Sequence, residues 1–189
     1  MSVPTRERLL AATSAVVAAE GYGAASVSRI TARAGVAAGT LYRHFESKEA
    51  MFVELFRELC GREVEAMRRA SLGAGSPLDR LEAAIETFAR RALAEPRLAW
   101  ALLAEPVDPA VDAERLEYRR RYRRLVAELL EEACEAGEIA EADNDVLAAA
   151  IIGGVGEALV GPLAGGAPQP DKLVADLRTF TRRAAGGGQ

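Results

Sequence analysis

The apolar residues of this chain recur with the period of an α-helix along most of its 189 residues. β-Branched residues never gather into the alternating runs that a half-buried strand requires. The pattern therefore predicts an all-α protein of about nine helices. Breaks in the pattern suggest a three-helix N-terminal domain over residues 1–50, a larger helical bundle over 51–185 and a disordered tail over 186–189.

Residues 26–48 are the stretch around which the rest of the chain is organised. They predict two short helices that meet at Gly35, with a third helix beginning after Ser47. Ser26 is suited to cap the first of these helices, because a serine oxygen can accept hydrogen bonds from exposed backbone N–H groups. Gly35 stands where a helix end favours a left-handed residue. This arrangement is a helix-turn-helix.

The second of these helices is predicted from about residue 38 to residue 45. Leu41 and Phe45, four positions apart, share its inner face. Its outer face is polar or cationic and consists of Thr40, Tyr42, Arg43 and His44. A helix of two turns buries too little surface to be stable alone, so a dense polar face of this kind suggests a binding partner.

Residues 34–48 read Ala-Gly-Val-Ala-Ala-Gly-Thr-Leu-Tyr-Arg-His-Phe-Glu-Ser-Lys. This spelling resembles the TetR family of transcriptional regulators, and the resemblance extends over about residues 5–55. It implies that residues 1–50 bind DNA and that residues 51–185 bind an effector and form a dimer. The family usually has a serine that caps the recognition helix, and this chain has Ala37 in its place.

The resemblance also implies roles for the residues of the DNA-binding face. Side chains of the type that donate to phosphate oxygens stand at Thr40, Tyr42, His44 and Lys48. Reading of the bases would fall to Ser28, Arg29, Ala38, Gly39 and Arg43, of which only the arginines can form a bidentate contact with guanine. The alternative for His44 is an ordinary surface or capping histidine.

The net charge of −4 does not by itself favour a nucleic-acid-binding protein. Its distribution is more informative. Residues 1–50 hold six basic and four acidic residues, a balance of +2, which leaves −6 for the remainder. A mildly basic head on an acidic body is typical of a molecule that offers one end to DNA.

The body of the chain carries a set of aromatic and sulfur-containing residues at helical spacing. In the resembling family the corresponding helices enclose an effector pocket, which implies a small, largely apolar effector as a partner. The candidate ligand-binding residues are Phe56, Cys60, Met67, Phe88, Trp100, Leu103, Tyr118 and Tyr122. Plain core packing is the alternative for each of them, although buried Trp and Tyr need partners for their polar atoms.

A long helix is predicted to begin at Asp108–Pro109, with Asp108 as its cap, and to end at Gly137. It contains an arginine-rich run at 119–124. We interpret this run as a solvated helix face rather than a nucleic-acid site, because acidic residues stand at pairing distance on the same helix, namely Glu114, Glu117 and Glu128.

Small residues form a stripe along the helix that follows Asp143, which a Gly161–Pro162 loop is predicted to end. Glycine within a helix costs about 1 kcal/mol relative to alanine, so such a stripe suggests that another helix approaches closely. We predict a homodimer whose interface includes Ala149, Gly153, Gly156, Val160, Leu173 and Leu177. The apolar window 146–160 is interpreted as a buried helix of a soluble protein, because it is shorter than the ~20 residues of a membrane span.

Other classes of function find little support in the sequence. The two cysteines, Cys60 and Cys134, are far apart and no secretory signal is apparent, which suggests reduced thiols in the cytoplasm and no metal cluster. No nucleophile–base pair or phosphate-cradling loop suggests an enzyme, and no cofactor or membrane partner is expected. The sequence predicts a homodimeric repressor that binds a palindromic DNA operator and is released by an effector. A helical DNA-binding or adaptor protein without an effector is the alternative.

Overall fold

The computed structural model describes residues 3–186, which form helices joined by short connections. In chain order these are α1 (Thr5–Glu20), α2 (Val27–Ala34), a 3-10 helix (Ala38–Arg43), α3 (Lys48–Ala70), α4 (Pro77–Ala94), α5 (Pro96–Leu103), α6 (Pro109–Glu135), α7 (Asn144–Gly165) and α8 (Pro170–Ala184). Within this range there is no strand, so the predicted all-α fold of about nine helices is confirmed. Of the tail predicted to be disordered, residues 187–189 lie outside the described range.

The N-terminal head consists of α1, α2 and the 3-10 helix. We call the 3-10 helix, Ala38–Arg43, the recognition segment. Leu9, Ile30 and Leu41, one from each element, are fully buried together. The Ser26 hydroxyl accepts a hydrogen bond from the Arg29 N–H and caps α2, as the sequence predicts. Gly35 ends α2 with a φ of +65°, the left-handed conformation that glycine adopts without strain.

Helix α3 leaves the head and continues into the body without a break. Its 23 residues, at about 1.5 Å each, give a length of about 34 Å. Ser47 caps it by accepting the Ala50 N–H at 3.0 Å. Because α3 passes through residue 50, the predicted domain boundary falls inside a continuous helix, and the division into 1–50 and 51–185 remains a prediction.

The body is a bundle in which α4 packs against α3 and α8, and α6 packs against α3, α4 and α7. Its centre is aliphatic, with Leu81, Ile85, Val126 and Leu130 fully buried. These residues recur at i, i+4 on α4 and α6, so one apolar stripe of each helix meets the other.

A buried carboxylate attaches α8 to α4. The Glu82 side chain is 8% exposed and accepts hydrogen bonds from the guanidinium groups of Arg178 and Arg182. The Ser76 N–H and the Arg182 guanidinium both donate to the Asp79 carboxylate. These two bonds hold the pKa of the Asp79 carboxyl below its usual range. A buried acid with two basic partners positions α8 more precisely than apolar contact alone.

One predicted helix end and one predicted helix cap were wrong. Gly161–Pro162 does not form a loop but lies inside α7, which continues to Gly165 because Leu159 and Leu163 are buried on either side of the proline. Asp108 precedes α6 but makes no capping hydrogen bond. Its carboxylate instead accepts the hydroxyl of Tyr22, from the head.

The prediction that α7 is a buried helix was also wrong. Only 28% of its most apolar 18-residue window is buried in the chain, although the mean hydropathy of that window is 1.9. By length and composition alone, α7 could cross a membrane. A single helix of this kind is only weak evidence for a membrane span, because the core helices of soluble proteins meet the same criteria. An apolar helix that its own chain leaves mostly uncovered is also typical of an interface between two chains.

Candidate DNA-binding face and effector cavity

The recognition segment is a 3-10 helix that ends at Arg43, whereas the sequence predicts an α-helix up to Phe45. Ala37 precedes it in an extended conformation and has no side chain with which to cap it. The Thr40 N–H is bonded to the Ala37 carbonyl at 2.9 Å, which begins the 3-10 helix with an i to i+3 bond. Leu41 and Phe45 are both buried, as predicted, and they fix the segment on the head.

The candidate DNA-binding residues lie on α2, on the recognition segment or at the start of α3. Thr40 and Lys48 are half-buried. The others are exposed, namely Ser28, Arg29, Ala38, Gly39, Tyr42, Arg43 and His44. Tyr42 is 59% exposed, so its hydroxyl is accessible to a phosphate oxygen.

Arg29 and Lys48 have neighbours within the head that the sequence did not reveal. The Arg29 guanidinium forms an ion pair with Glu20 at the end of α1. The Lys48 ammonium lies 5.9 Å from the ring centroid of Tyr22 and 5.4 Å from that of Phe52. These two rings are themselves 4.4 Å apart, so Lys48 stands over an aromatic pair.

The turn between α1 and α2 is held by the connection between α5 and α6. The N–H groups of Tyr22 and Gly23 donate to the Glu105 carboxylate at 3.0 and 3.4 Å. The Tyr22 hydroxyl donates to Asp108, and burial next to this carboxylate raises the pKa of Tyr22. The head is therefore joined to the body at a second place besides α3.

Gly21 is favoured at this turn by its backbone conformation. Its φ is +88°, a region that residues with a side chain rarely adopt. A Cβ built there would stand 2.5 Å from an Arg97 nitrogen and 2.8 Å from a Glu105 oxygen, both at the ends of flexible side chains. Arg97 donates to the Glu20 carbonyl at 2.9 Å, so α5 contacts the end of α1.

A cavity of about 860 Å³ lies in the body between helices α3 to α7. Seven of the eight predicted ligand-binding residues line it, namely Phe56, Cys60, Met67, Phe88, Leu103, Tyr118 and Tyr122. Trp100 does not, because its half-buried side chain lies elsewhere on α5. The sequence missed contributions from α7 and from Ser14 of α1, which brings the cavity up to the head.

The aromatic wall of this cavity is organised in pairs with most of its polar atoms satisfied. Phe88 and Tyr122 have ring centroids 5.4 Å apart. The Tyr118 hydroxyl donates to the Arg57 carbonyl of α3 at 2.8 Å. Burial raises the pKa of the Cys60 thiol to about 12 and raises that of Tyr122 as well, so both stay neutral at physiological pH. The wall presents a neutral, mainly apolar surface.

Basic residues outnumber acidic residues in the rest of the cavity lining. The lining includes six arginines, Arg62, Arg91, Arg115, Arg119, Arg120 and Arg123, and three glutamates, Glu63, Glu95 and Glu157. Cationic side chains around an apolar cavity favour a ligand that has both an apolar part and an anionic part.

The predicted pairing of the arginine run with acids on its own helix is confirmed only for Glu117. Arg120 and Arg121 pair with Glu117 at 3.3 and 3.5 Å. Glu114 and Glu128 pair instead with Arg57 and Arg68 of α3. Arg115, Arg119 and Arg123 share a helix face with Tyr118 and Tyr122 at i, i+3 and i, i+4 spacing, a signal in the sequence that would have placed them at the cavity.

The predicted interface residues divide into two groups. Ala149, Gly153, Gly156 and Val160 line the cavity mouth and are exposed or half-buried. A Cβ at Gly153 or Gly156 would meet nothing within 4 Å, so no helix of this chain packs closely on the stripe. Leu173 is half-buried, but Leu177 is 4% exposed and therefore packs inside the chain rather than on a free face.

Neither a disulfide nor a candidate metal site is present among residues 3–186. Cys60 is buried and Cys134 half-buried, and both are free thiols. No group of three or more His, Cys, Asp or Glu side chains in this range is arranged to hold a metal ion.

Two family models match the chain, and together they cover more than half of it. Residues 9–55 match the model described as bacterial regulatory proteins, tetR family. Residues 74–159 match the Tetracyclin repressor-like, C-terminal domain. The chain belongs to the TetR family. This is a family of DNA-binding transcription regulators, so the prediction that the protein is no enzyme is confirmed.

Individual members of the TetR family resemble the chain over different lengths. The HTH-type transcriptional repressor KstR of Mycolicibacterium smegmatis is 38% identical over 101 residues, 51% of this chain and 48% of that protein. The chain spans about half the length, or less, of the curated relatives it matches first. The structure of the fatty acid degradation regulator FadR from Bacillus halodurans has a TM-score of 0.83, 27% identity and 96% coverage of both chains.

A further structure of a TetR-family protein shows the same fold. FadR from Bacillus subtilis, solved in complex with stearoyl-CoA, has a TM-score of 0.80 and 24% identity, and the match covers 97% of this chain and 99% of that one.

The uncapped recognition segment of this TetR-family chain generates a prediction. Ala37→Ser should add about 0.5–1 kcal/mol to the free energy of unfolding, because the backbone at residue 37 is already extended and the serine oxygen can accept the Gly39 N–H. Chemical denaturation measures this change. Ala32→Ser, at an exposed position within α2, is the matched control and should lower stability slightly. An equal effect of both substitutions would contradict capping at residue 37.

Proposed function

We propose that the protein is a homodimeric, cytoplasmic repressor that binds a palindromic DNA operator and releases it when an effector occupies the cavity. The observation that carries this proposal is the exposed polar and cationic face of the recognition segment in a TetR-family head. A single head contacts few base pairs, so selectivity requires two heads about one turn of DNA apart. The name of KstR, a repressor, supports the sign of regulation.

Lys48 tests the DNA-binding part of the proposal. Lys48→Ala should weaken binding to all DNA sequences nearly alike, because an ammonium that contacts phosphate conveys no base information. It should also make the slope of log K against log salt shallower by about one unit.

Lys172→Ala is the matched control for this experiment, because Lys172 is exposed on α8 and paired with Asp176 at 2.6 Å, far from the head along the chain. The control should leave the salt slope unchanged. A slope that does not respond to Lys48→Ala would place Lys48 away from the DNA.

The uncovered apolar face of α7 supports the dimer. Gly153→Leu should raise the monomer fraction in sedimentation experiments, because the added side chain would occupy the space of the second chain. The substitution is tolerated within one chain, where nothing lies within 4 Å of a Cβ at this position. Ala113→Leu, at an exposed position on α6, is the control and should not alter the monomer fraction. A dimer that persists in Gly153→Leu would place the interface elsewhere.

The cavity supports a more specific effector than the small, largely apolar molecule that the sequence suggests. An apolar wall with an excess of arginines suits a long acyl chain that ends in an anionic group. The stearoyl-CoA bound by FadR of Bacillus subtilis has this chemistry. We therefore infer an acyl thioester with a phosphate-containing head group, the chain lying inside the cavity and the phosphates at Arg119 and Arg123.

Calorimetric titration with stearoyl-CoA, stearate and coenzyme A measures this preference. Stearoyl-CoA should bind most tightly, since only it combines both parts. The double substitution Arg119→Gln and Arg123→Gln should weaken its binding about 10- to 100-fold, as expected for lost hydrogen bonds between charged groups. Arg124→Gln is the matched control, because Arg124 is exposed on the same helix and does not line the cavity.

The alternative function, a DNA-binding protein without an effector, predicts a different result. In that case none of the three compounds would bind the cavity or change operator affinity, and the cavity would have no role in regulation.

A further inference from the structure

Arg115 contacts the effector cavity and the C-terminal end of α5 at once. Its side chain is 13% exposed and lines the cavity. Its guanidinium donates to the backbone carbonyls of Ala101, Leu102 and Glu105 at 3.2, 2.9 and 2.8 Å. These carbonyls lie where α5 ends and lack partners within the helix, so Arg115 serves as the cap of α5.

The only carboxylate bonded to Arg115 in the described part of the chain is Asp112, at 3.0 Å, and Asp112 is about half exposed. Most of the hydrogen bonds of this cation therefore go to neutral carbonyls. A phosphate or carboxylate attracts a guanidinium by a full negative charge and can accept two of its N–H groups at once, whereas a backbone carbonyl offers only a dipole. An anion that enters the cavity would therefore compete with the carbonyls for Arg115.

Glu105 joins Arg115 to the DNA-binding head. Its backbone carbonyl accepts from Arg115, while its carboxylate accepts the N–H groups of Tyr22 and Gly23 in the α1–α2 turn. The backbone carbonyl of Glu105 thus contacts a cavity residue, and its side-chain carboxylate contacts the head. A movement of the α5–α6 corner, residues 104–108, must displace one of these contacts.

Tyr22 extends the connection to the DNA-binding face. Its hydroxyl donates to Asp108 of the same corner, and its ring packs on Phe52 with centroids 4.4 Å apart. The ammonium of Lys48 lies 5.9 Å from the centre of the Tyr22 ring. The chain of contacts from Arg115 to a candidate phosphate-binding residue therefore passes through two side chains, Glu105 and Tyr22.

We propose that an anionic group of the effector binds Arg115, draws it away from the end of α5 and so loosens the hold of Glu105 and Asp108 on the α1–α2 turn. This inference rests on the proposed function and adds to it the residue that senses the effector and the route to the head. The anionic group is a phosphate or a carboxylate. Because the two binding events are coupled, DNA bound to the heads must weaken effector binding by the same factor.

Helix α3 offers a different route from the cavity to the head, because it begins at Lys48 and continues into the cavity wall. On that route the hydroxyl of Tyr118, which donates to the Arg57 carbonyl, would transmit movement of α6 to α3. Tyr22→Phe and Tyr118→Phe are therefore matched substitutions. Each removes one hydroxyl that links two parts of the chain and leaves the aromatic ring in place.

The experiment measures operator affinity with and without saturating stearoyl-CoA, and again with stearate, in each variant. The coupling factor is the ratio of the two dissociation constants. Tyr22→Phe should lower this factor about fivefold or more, the effect of one lost hydrogen bond to a charged acceptor, while direct binding of stearoyl-CoA to the DNA-free protein changes by less than about threefold. Tyr118→Phe should lower the factor less than Tyr22→Phe does.

Arg115→Lys tests the sensing residue itself. Lysine retains the positive charge but cannot reach three carbonyls with one planar group, so operator affinity without effector should fall towards the effector-bound value. Arg124→Lys, at an exposed position on the same helix and outside the cavity lining, is the control and should retain the coupling. Coupling with stearoyl-CoA alone identifies phosphate as the competing group, coupling with stearate alone identifies a carboxylate, and coupling with both shows that Arg115 binds either anion.

Amide hydrogen exchange gives a readout that does not depend on DNA. In the wild type, stearoyl-CoA should accelerate exchange of the Tyr22 and Gly23 amides, and in Arg115→Lys these amides should exchange rapidly before any addition. Unchanged exchange at both amides, or a coupling factor lowered by Tyr118→Phe and not by Tyr22→Phe, would overturn the α5–α6 route and leave the proposed function intact. A wild type that binds its operator but shows no coupling with either compound would overturn both.

Discussion

The contact of Glu105 with the backbone of the α1–α2 turn is the constraint on which the arrangement of this protein depends. A recognition segment of six residues in 3-10 conformation has little stability of its own, so its orientation is set by what holds α1, α2 and the start of α3. Leu41 and Phe45 attach it to the head, and Glu105 and Asp108 attach the head to the body. The direction in which the DNA-binding face points thus depends on polar contacts between the head and the connection of α5 to α6.

The cavity and its polar surroundings follow from α6, which supplies side chains of opposite character to the same face. Tyr118 and Tyr122 make an apolar wall, Arg115 stands one turn before Tyr118, and Arg119 and Arg123 directly follow the two tyrosines. The helix has 27 residues and packs against α3, α4 and α7. Arginine is suited to this position because its long apolar stem can line the wall while its guanidinium reaches a carbonyl or an anion.

Two kinds of attachment hold the body together, and they differ in how readily they can change. The buried Glu82 with Arg178 and Arg182 fixes α8 on α4 through bonds between charged groups, and an isolated charge there would be costly. The α5–α6 corner instead relies on bonds from charged groups to neutral backbone atoms, which an incoming anion can replace. The attachment of α8 to α4 is thus the more firmly built, and the corner next to the head is the more easily altered.

The sequence by itself determined the elements of this protein and the chemistry of its head. The motif at residues 34–48 identifies the family, and the caps at Ser26 and Ser47 lie where their residue types predict. The resemblance to the family implied the eight candidate ligand-binding residues, of which seven line the cavity. These features are local, since caps and amphipathic faces depend on neighbours within one or two turns. Only the tertiary structure decided that Asp108 serves Tyr22 rather than α6, that Glu114 pairs with Arg57, that Trp100 lies outside the cavity and that Arg115 caps α5. In each case a polar or large side chain had several possible partners at similar cost, and the choice was made by residues distant along the chain that folding brought within hydrogen-bonding distance.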